Sequence, residues 1–527
     1  MATGEFNLLD EKWIMVLDRS GTPLEMSLID VFRYAHEIKR IAGELPTQDV
    51  AVMRLLLAVL YSVFTRADLD GNHAPLDDET EALNRWSEMW EWGSFSMAPL
   101  QKYLEHYRER FFLFHEAAPF YQVADLDRGT DYTASKLMGD LSESGNKVRL
   151  FATRTGNAKA SLSYAESARW LLYLNAYDDT SSKPSVRGQN MPSVGAGWLG
   201  KLGLVFASGN NLFETLMLNF VLDGERYKVG QPVWENGVRK EERMNIAQPD
   251  TLAELLTIQS RRIQLQRKGK SVVRYRLLGG DVFDKENAFI EPMTLWRKDK
   301  NEDKYNPRRH DPDKSFWRDF PALAVKSESR SKRPGVVDWI AFLKNNGVLT
   351  HKNVEFQTAS VYYGDKDFFV DDVFSDSVVV NASLLTRIGA EWVGRIENEI
   401  GHTEEFVRAL YDFAKDIEKS VGGENLSGAD YARSTAYFEM DEPFRLWLAG
   451  IDPAVDDMET KILEWRNTAR SIVRDIAKEI LASTGESALV GRYVSIGKES
   501  NKVLINAPIA HMKFIGRIKR INNGGRN

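Results

Sequence analysis

A chain of 527 residues is too long for one hydrophobic core, so at least two domains are expected. It has no cysteine, which excludes disulfides, thiol nucleophiles and cysteine-ligated zinc or iron–sulfur sites. A net charge of −7 gives no global attraction to nucleic acid, so any such binding must use local patches. Hydrophobic residues make up 43% and charged residues 28%, the values of an ordinary soluble globular protein. No apolar run reads as a membrane span, and the start MATGEFNLLDEKW lacks the pattern of a signal peptide, so a cytoplasmic location is expected.

In chain order, Phe6 to Val16 reads as an opening strand. A strongly apolar helix follows Leu45-Pro46-Thr47-Gln48-Asp49, with Thr47 as its expected N-cap and Val52, Leu55, Leu56, Val59 and Leu60 on a buried face. Trp86, Trp90 and Trp92 fall in another helical stretch, where core packing explains them better than a ligand cage.

Residues 195 to 200, GAGWLG, spell a G-x-G-x-x-G through Gly195, Gly197 and Gly200. A dinucleotide site needs a strand leading in and a helix starting from the glycines. Here Arg187 to Pro192 is polar and broken by proline, and Leu202 to Phe206 has β character. The run therefore reads as a flexible, glycine-rich surface loop. From about residue 225 to 375 polar turn signals predict irregular β structure.

After about residue 376 the periodicity becomes helical. Leu384, Ile388, Trp392, Ile396 and Ile400 form a stripe that continues through Phe406, Leu410, Phe413 and Ile417 after an expected break near Gly401. Further stripes run from Tyr431 to Leu448, from Met458 to Ile480, and from Val503 to Ile521. The expected fold is α+β, with an irregular mixed domain over 1–375 and an antiparallel four-helix bundle over 376–527.

The eight histidines are scattered singly, and H-E-x-x-H, G-x-S-x-G and the phosphate-binding G-x-x-x-x-G-K-[ST] are absent. No metal or other cofactor is expected, and nothing assembles a nucleophile, a base and an orienting group. The sequence argues against an enzyme. The acidic group Asp365, Asp367, Asp371, Asp372 and Asp376 is better explained by loop solubility than by calcium; the competing reading is a magnesium-dependent nucleic-acid-processing enzyme whose acids, such as Asp365, Asp367 and Asp371, bind the metal.

Three basic segments stand out. Ser142 to Ala160 carries Lys147, Arg149, Arg154 and Lys159 around Phe151, with no acid after Glu143. Cations, an aromatic ring and loosening glycines suit a phosphate backbone. QSRRIQLQRKGKSVVRYR holds Arg261, Arg262, Arg267, Lys268, Lys270, Arg274 and Arg276 with no acid between them, favouring a polyanion over a mere solvated face. The last helix carries Lys513, Arg517, Lys519 and Arg520, where the helix dipole alone favours cations.

The stretches FNLLDEKWIMV, GELPTQDVAVMRLLLAVLYSVF, PFYQV at Pro119 and SGNNLFETLMLNF occur in an order and spacing that carry a resemblance. PVWE at Pro232, TIQSRRIQL at Thr257, EPMTLW at Glu291 and QTAS at Gln357 extend it. Together they resemble the CasA family, the large subunits of the type I-E CRISPR surveillance complex, Cascade, over nearly the whole chain. The resemblance implies a non-catalytic protein that inspects double-stranded DNA for a protospacer-adjacent motif (PAM). It also implies help in strand opening and R-loop formation, and presentation of the opened DNA to a helicase-nuclease. The implied partners are the guide RNA, the target duplex, the other Cascade subunits and the helicase-nuclease. Base pairing reads the long sequence, and the protein reads only a short tag.

Carried over by position, the PAM-reading hairpin and its strand-separating wedge fall on Gln357, Thr358 and Ala359. Family members often have an asparagine–glutamine pair where this chain has Gln357 and Thr358, and Thr358 is the shorter wedge. The loop touching both PAM and guide RNA falls on Asn146 to Ala160, with Phe151 at its aromatic place. A PAM-reaching lysine of some members matches Asp281 directly, leaving Lys285 as a displaced substitute. A glycine loop flanking the PAM falls within Gly188 to Gly200, so Gly195 and Gly197 are expected to let backbone approach DNA.

Overall fold

The computed structural model describes residues 4–522 except 144–147, 182, 185–193, 239, 243–247, 301, 325–326, 329, 424–425 and 496–501. The chain is a mixed α/β protein of helices and several small sheets. It forms two compact units. The first comprises residues 1–314, 326–350 and 354–377, and the second residues 315–325, 351–353 and 378–527.

The first unit is built around the helix Pro46–Phe64. Of its apolar 18-residue stretch 94% is buried, so neighbours cover all its faces rather than one stripe. By length and composition this helix could cross a bilayer, which the sequence reading missed, because Gln48, Asp49 and Arg54 interrupt the apolar run. Arg54 is 3% exposed and holds Glu291, itself fully buried, through two bonds of 2.9 and 2.8 Å. Thr47 is not the N-cap. Leu45 occupies that position without a side-chain cap, and Pro46 opens the helix with its preset φ.

Among the described residues three sheets are three-stranded. One orders Pro23–Met26, Ile14–Asp18 and Ile38–Ile41, and a second orders Thr130–Thr133, Ser271–Gly279 and Arg261–Lys268. The third orders Val370–Asn381, Asn353–Tyr363 and Phe206–Ser208, with Gln357 registered against Phe206. In the helix Glu79–Trp92, Trp86 is fully buried and stacks on Trp90 at 5.0 Å, while Trp92 is 60% exposed.

The second unit contains four long helices, Ala390–Ser420, Ser427–Ala449, Met458–Ala482 and Ala507–Asn522. Phe444 meets Trp465 edge to face at 4.8 Å, and Phe413 packs against Phe514 at 5.2 Å. The break expected near Gly401 does not occur, because that residue sits inside one 31-residue helix. A mid-helix glycine costs about 1 kcal/mol, which burial of Ile396, Ile400, Phe406 and Leu410 on either side outweighs. The stripe expected from Tyr431 also turns outward. Tyr431 and Phe438 are 74% and 79% exposed, and the buried face is Ala429, Ala432, Ala436, Met440 and Phe444. Small alanines at 3.6-residue spacing carry little hydrophobic signal, although they let helices approach closely.

Candidate nucleic-acid interface

The first unit gathers most of the sequence-derived candidates, but in roles the sequence did not distinguish. The helix Tyr164–Tyr177 starts at a capping box between Ser163 and Glu166 and ends at Asp178. Asp178 and Asp179 sink into a cluster of buried ions, in which Lys183 reaches Asp178 at 2.8 Å and Lys136 reaches Asp179 at 2.6 Å. Arg261 completes it through an ion pair with Asp178. Burial pushes the Asp178 carboxyl up, but Arg261, Lys183 and Lys136 outweigh that and hold it down at about 2.

Arg261 also clamps the glycine segment. Its guanidinium donates to the carbonyls of Asp178 (3.2 Å), Asp179 (3.1 Å) and Gly195 (2.8 Å), and the Gly197 N–H donates to the Asp178 carbonyl at 2.9 Å. GAGWLG is therefore not a flexible surface loop. Ala196, Trp198 and Leu199 are at most 5% exposed. A Cβ on Gly197 would lie 2.3 Å from the Ala176 carbonyl oxygen, and one on Gly200 would lie 2.0 Å from the Tyr363 hydroxyl. Trp198 donates to Glu291 at 2.7 Å, tying the segment to Arg54. Gly195 takes φ +68°, which glycine adopts without strain. Gly197 and Gly200 serve close packing of protein against protein. Residues 188–193 of the expected loop lie outside the described residues.

Lys201 follows directly and was missed by sequence reasoning, since a lone lysine after a glycine run has no signature. Its ammonium donates to the Val194 carbonyl at 3.2 Å. Burial pushes its pKa down to about 8, and the positive charges of Arg261, Lys285 and Arg309 add to that effect. Lys285 itself is exposed. Arg309 lies over the Tyr363 ring at 5.2 Å and holds Asp367 through two 2.8 Å bonds, so Asp367 belongs to an ion pair.

Tyr363 ends the strand Asn353–Tyr363, which carries Gln357, Thr358 and Ala359. These three are not the tip of a hairpin but the middle of an 11-residue strand, central in its sheet. Thr358 and Ala359 are 2% and 1% exposed, and the Tyr177 hydroxyl donates to the Ala359 carbonyl at 3.4 Å. Gln357 is half-buried, and its amide has no hydrogen-bond partner among the described residues. The three border a cavity of about 390 Å³ whose wall also includes Asp49, Met53, Phe206, Ser208 and Leu212. Burial pushes the Asp49 carboxyl up to about 7, although it accepts the Gly43 N–H.

The basic segments divide on inspection. Arg261 and Arg262 are at most 1% exposed, Arg262 being paired with the equally buried Asp281. They are interior ions, not part of a solvent-facing patch, because acids distant in sequence neutralise them. Arg267 pairs with Glu5, and Arg276 with Asp131 at 2.9 Å. Lys268 and Lys270 remain exposed at the tip of the Arg261–Gly279 hairpin, around Gly269 at φ +61°.

In the loop after Glu143, Arg154 pairs with Asp140 and Glu166, and Lys159 pairs with Glu143. Arg149 donates to the Leu141 carbonyl at 2.7 Å. The expectation of unneutralised cations thus fails for Arg154 and Lys159, whose partners precede and follow the segment. Asn146 and Lys147 lie outside the described residues. What the loop offers is apolar: Val148 is 67% exposed, and Leu150 and Phe151 are each 93% exposed.

Residues 7–476 match the family described as CRISPR-associated protein Cse1. A curated relative, the CRISPR-associated protein CasA/Cse1 of Thermus thermophilus, is 30% identical over 431 residues, covering 80% of each chain. The crystal structure of Thermobifida fusca Cse1 superposes with a TM-score of 0.83 at 29% identity, covering 99% of this chain and 98% of that one. A chain of a CRISPR RNA-guided surveillance complex shares the fold at a TM-score of 0.72 and 19% identity, covering 99% of both. The chain belongs to the Cse1 (CasA) family.

Proposed function

We propose that this chain is the large, non-catalytic subunit of a CRISPR RNA-guided surveillance complex, and that it reads the PAM in double-stranded DNA. Its partners are the guide RNA, the other subunits of the complex, the target duplex and a helicase-nuclease recruited after R-loop formation, all in the cytoplasm. Residues 1–375 act as the DNA- and guide-contacting domain. Residues 376–527 form an antiparallel four-helix bundle that docks other subunits.

One observation carries the reading. The strand bearing Gln357 pairs through Phe206 with the segment that leaves Gly195, Gly197 and Lys201, and ends at Tyr363 beside Gly200 and Arg309. A free amide able to read base edges and a cationic spot for phosphate therefore belong to one continuous piece of structure. Lys201 and Lys285 meet the backbone, Gln357 meets base edges in the minor groove, and Phe151 inserts against guide RNA or DNA.

The test is binding and opening of duplexes that differ only in the PAM by the assembled complex. Gln357→Ala should shrink the difference between good and poor PAMs by about 1–3 kcal/mol. Lys285→Ala should weaken all duplexes alike and lower the salt slope by about one. A parental complex that binds all duplexes equally at every salt concentration would overturn the proposal.

A further inference from the structure

The cavity beside Gln357 has an interior of a particular chemistry. Phe206, Leu212 and Met53 give it apolar walls, and its volume of about 390 Å³ falls in the range of small-molecule sites. Thr358 lines it, is 2% exposed, and its hydroxyl has no hydrogen-bond partner among the described residues. A buried hydroxyl left unpaired is costly, and native interiors rarely keep one without a use. The Gln357 amide is likewise unengaged. Asp376 also lines the space, so an anionic group is disfavoured inside it, whereas the exposed Arg40 lies among its lining residues.

Apolar walls, a few neutral donors and acceptors, an acid that disfavours an anion and a cation at the lining describe a single nucleotide, base inward and phosphate outward. We propose that this cavity receives one nucleobase unstacked from the duplex beside Gln357. The proposal rests on the reading of the chain as a DNA-opening subunit, and adds to it a receptacle that stabilises the opened state. Phe206 and Leu212 cover the base, the Thr358 hydroxyl meets its polar edge, and Arg40 meets the phosphate. Base capture of this kind offsets the unstacking cost that any strand-opening protein faces.

The test uses the assembled complex and a matched target with 2-aminopurine at the first base pair beside the PAM. In the parental complex the fluorophore should brighten on opening and become at least about threefold less quenchable by acrylamide than in single-stranded DNA, as for a base enclosed by protein. Ser208→Tyr places a ring into the cavity from its wall, while Ser208→Ala leaves the space open. The tyrosine variant should keep the parental PAM-dependent duplex affinity but open targets about tenfold more slowly and lose the shielding, as expected where a buried polar contact is lost. The alanine variant should match the parent in both. A parental fluorophore that brightens but quenches as freely as single-stranded DNA overturns the receptacle, even if Ser208→Tyr fails to assemble. So does a tyrosine variant that opens and shields like the parent. Absence of any PAM-dependent binding by the parent would instead overturn the underlying reading.

Discussion

Replacing Arg261 separates its structural role from the DNA-binding role that its sequence neighbourhood suggests. The side chain is fully buried, paired with Asp178, and donates to the carbonyls of Ser260, Asp178, Asp179 and Gly195. Breaking a buried ion pair by removing one partner costs about 3–5 kcal/mol. Lys183 and Lys136 still neutralise Asp178 in Arg261→Ala, which moderates the charge penalty. The loss of donors to buried carbonyls, at about 1 kcal/mol or more each, restores it. A loss of about 4 kcal/mol is expected. Arg261→Lys keeps the charge but not the fork, and should lose about 2 kcal/mol. The same measurement on Lys268→Ala and Lys270→Ala should change stability by less than about 0.5 kcal/mol, since both are exposed. Together those two should lower the salt slope of duplex binding by about two. The assay is urea unfolding of the full chain, with duplex titrations at several salt concentrations. If Arg261→Ala unfolds within about 1 kcal/mol of the parent, the clamp on Gly195 is not what holds that segment.

Trp465 is 1% exposed, packs on Phe444 and donates to the Thr403 hydroxyl at 3.0 Å, so Trp465→Ala should cost about 3–5 kcal/mol by urea unfolding, and parental stability would contradict its burial. Ala359→Asp buries a charge at a 1% exposed position, so it should impair folding itself; soluble, assembly-competent protein at parental yield would contradict this. The folded Asp49 carboxyl, raised by burial from 3.8 to about 7, keeps a proton that the unfolded chain releases. Stability should therefore fall as pH rises from about 4 to about 7, by up to about 4 kcal/mol, and level off above. Asp49→Asn, which can still accept the Gly43 N–H, should flatten that slope in urea midpoints taken across this range, and an unchanged slope would assign it elsewhere.

The long apolar helix at 46–64 and the helices after residue 390 were legible because large apolar residues at helical spacing report burial directly. The buried face of Ser427–Ala449 was not, because Ala432 and Ala436 pack by being small while Tyr431 and Phe438 face outward. The resemblance put a hairpin on Gln357 to Ala359 and the glycine pattern put a loose loop on GAGWLG, but the strand's depth in its sheet is a tertiary fact that a local string does not contain. Charge misled most. Arg261, Arg262, Arg154 and Lys159 look free along the chain, and their neutralising acids are supplied by other elements or, for Lys159, by Glu143 at the far end of its own segment. Lys201 matters through the cations folded around it, none of which is its neighbour in sequence.

The pairing of Arg54 with Glu291, 237 residues later, has a consequence for biosynthesis. As the chain leaves the ribosome, the Pro46–Phe64 segment emerges long before its partner carboxylate, and by length and composition alone it could span a bilayer. An unpaired arginine near the centre of such a segment raises the free energy of insertion by about 2.5–3.5 kcal/mol. The side chain that anchors the finished interior therefore also turns the nascent helix away from the bilayer, and the same charge becomes harmless only when residue 291 arrives to cover it. Arg54→Leu should accordingly divert part of the newly made chain to the membrane fraction, a sorting error visible before folding is complete.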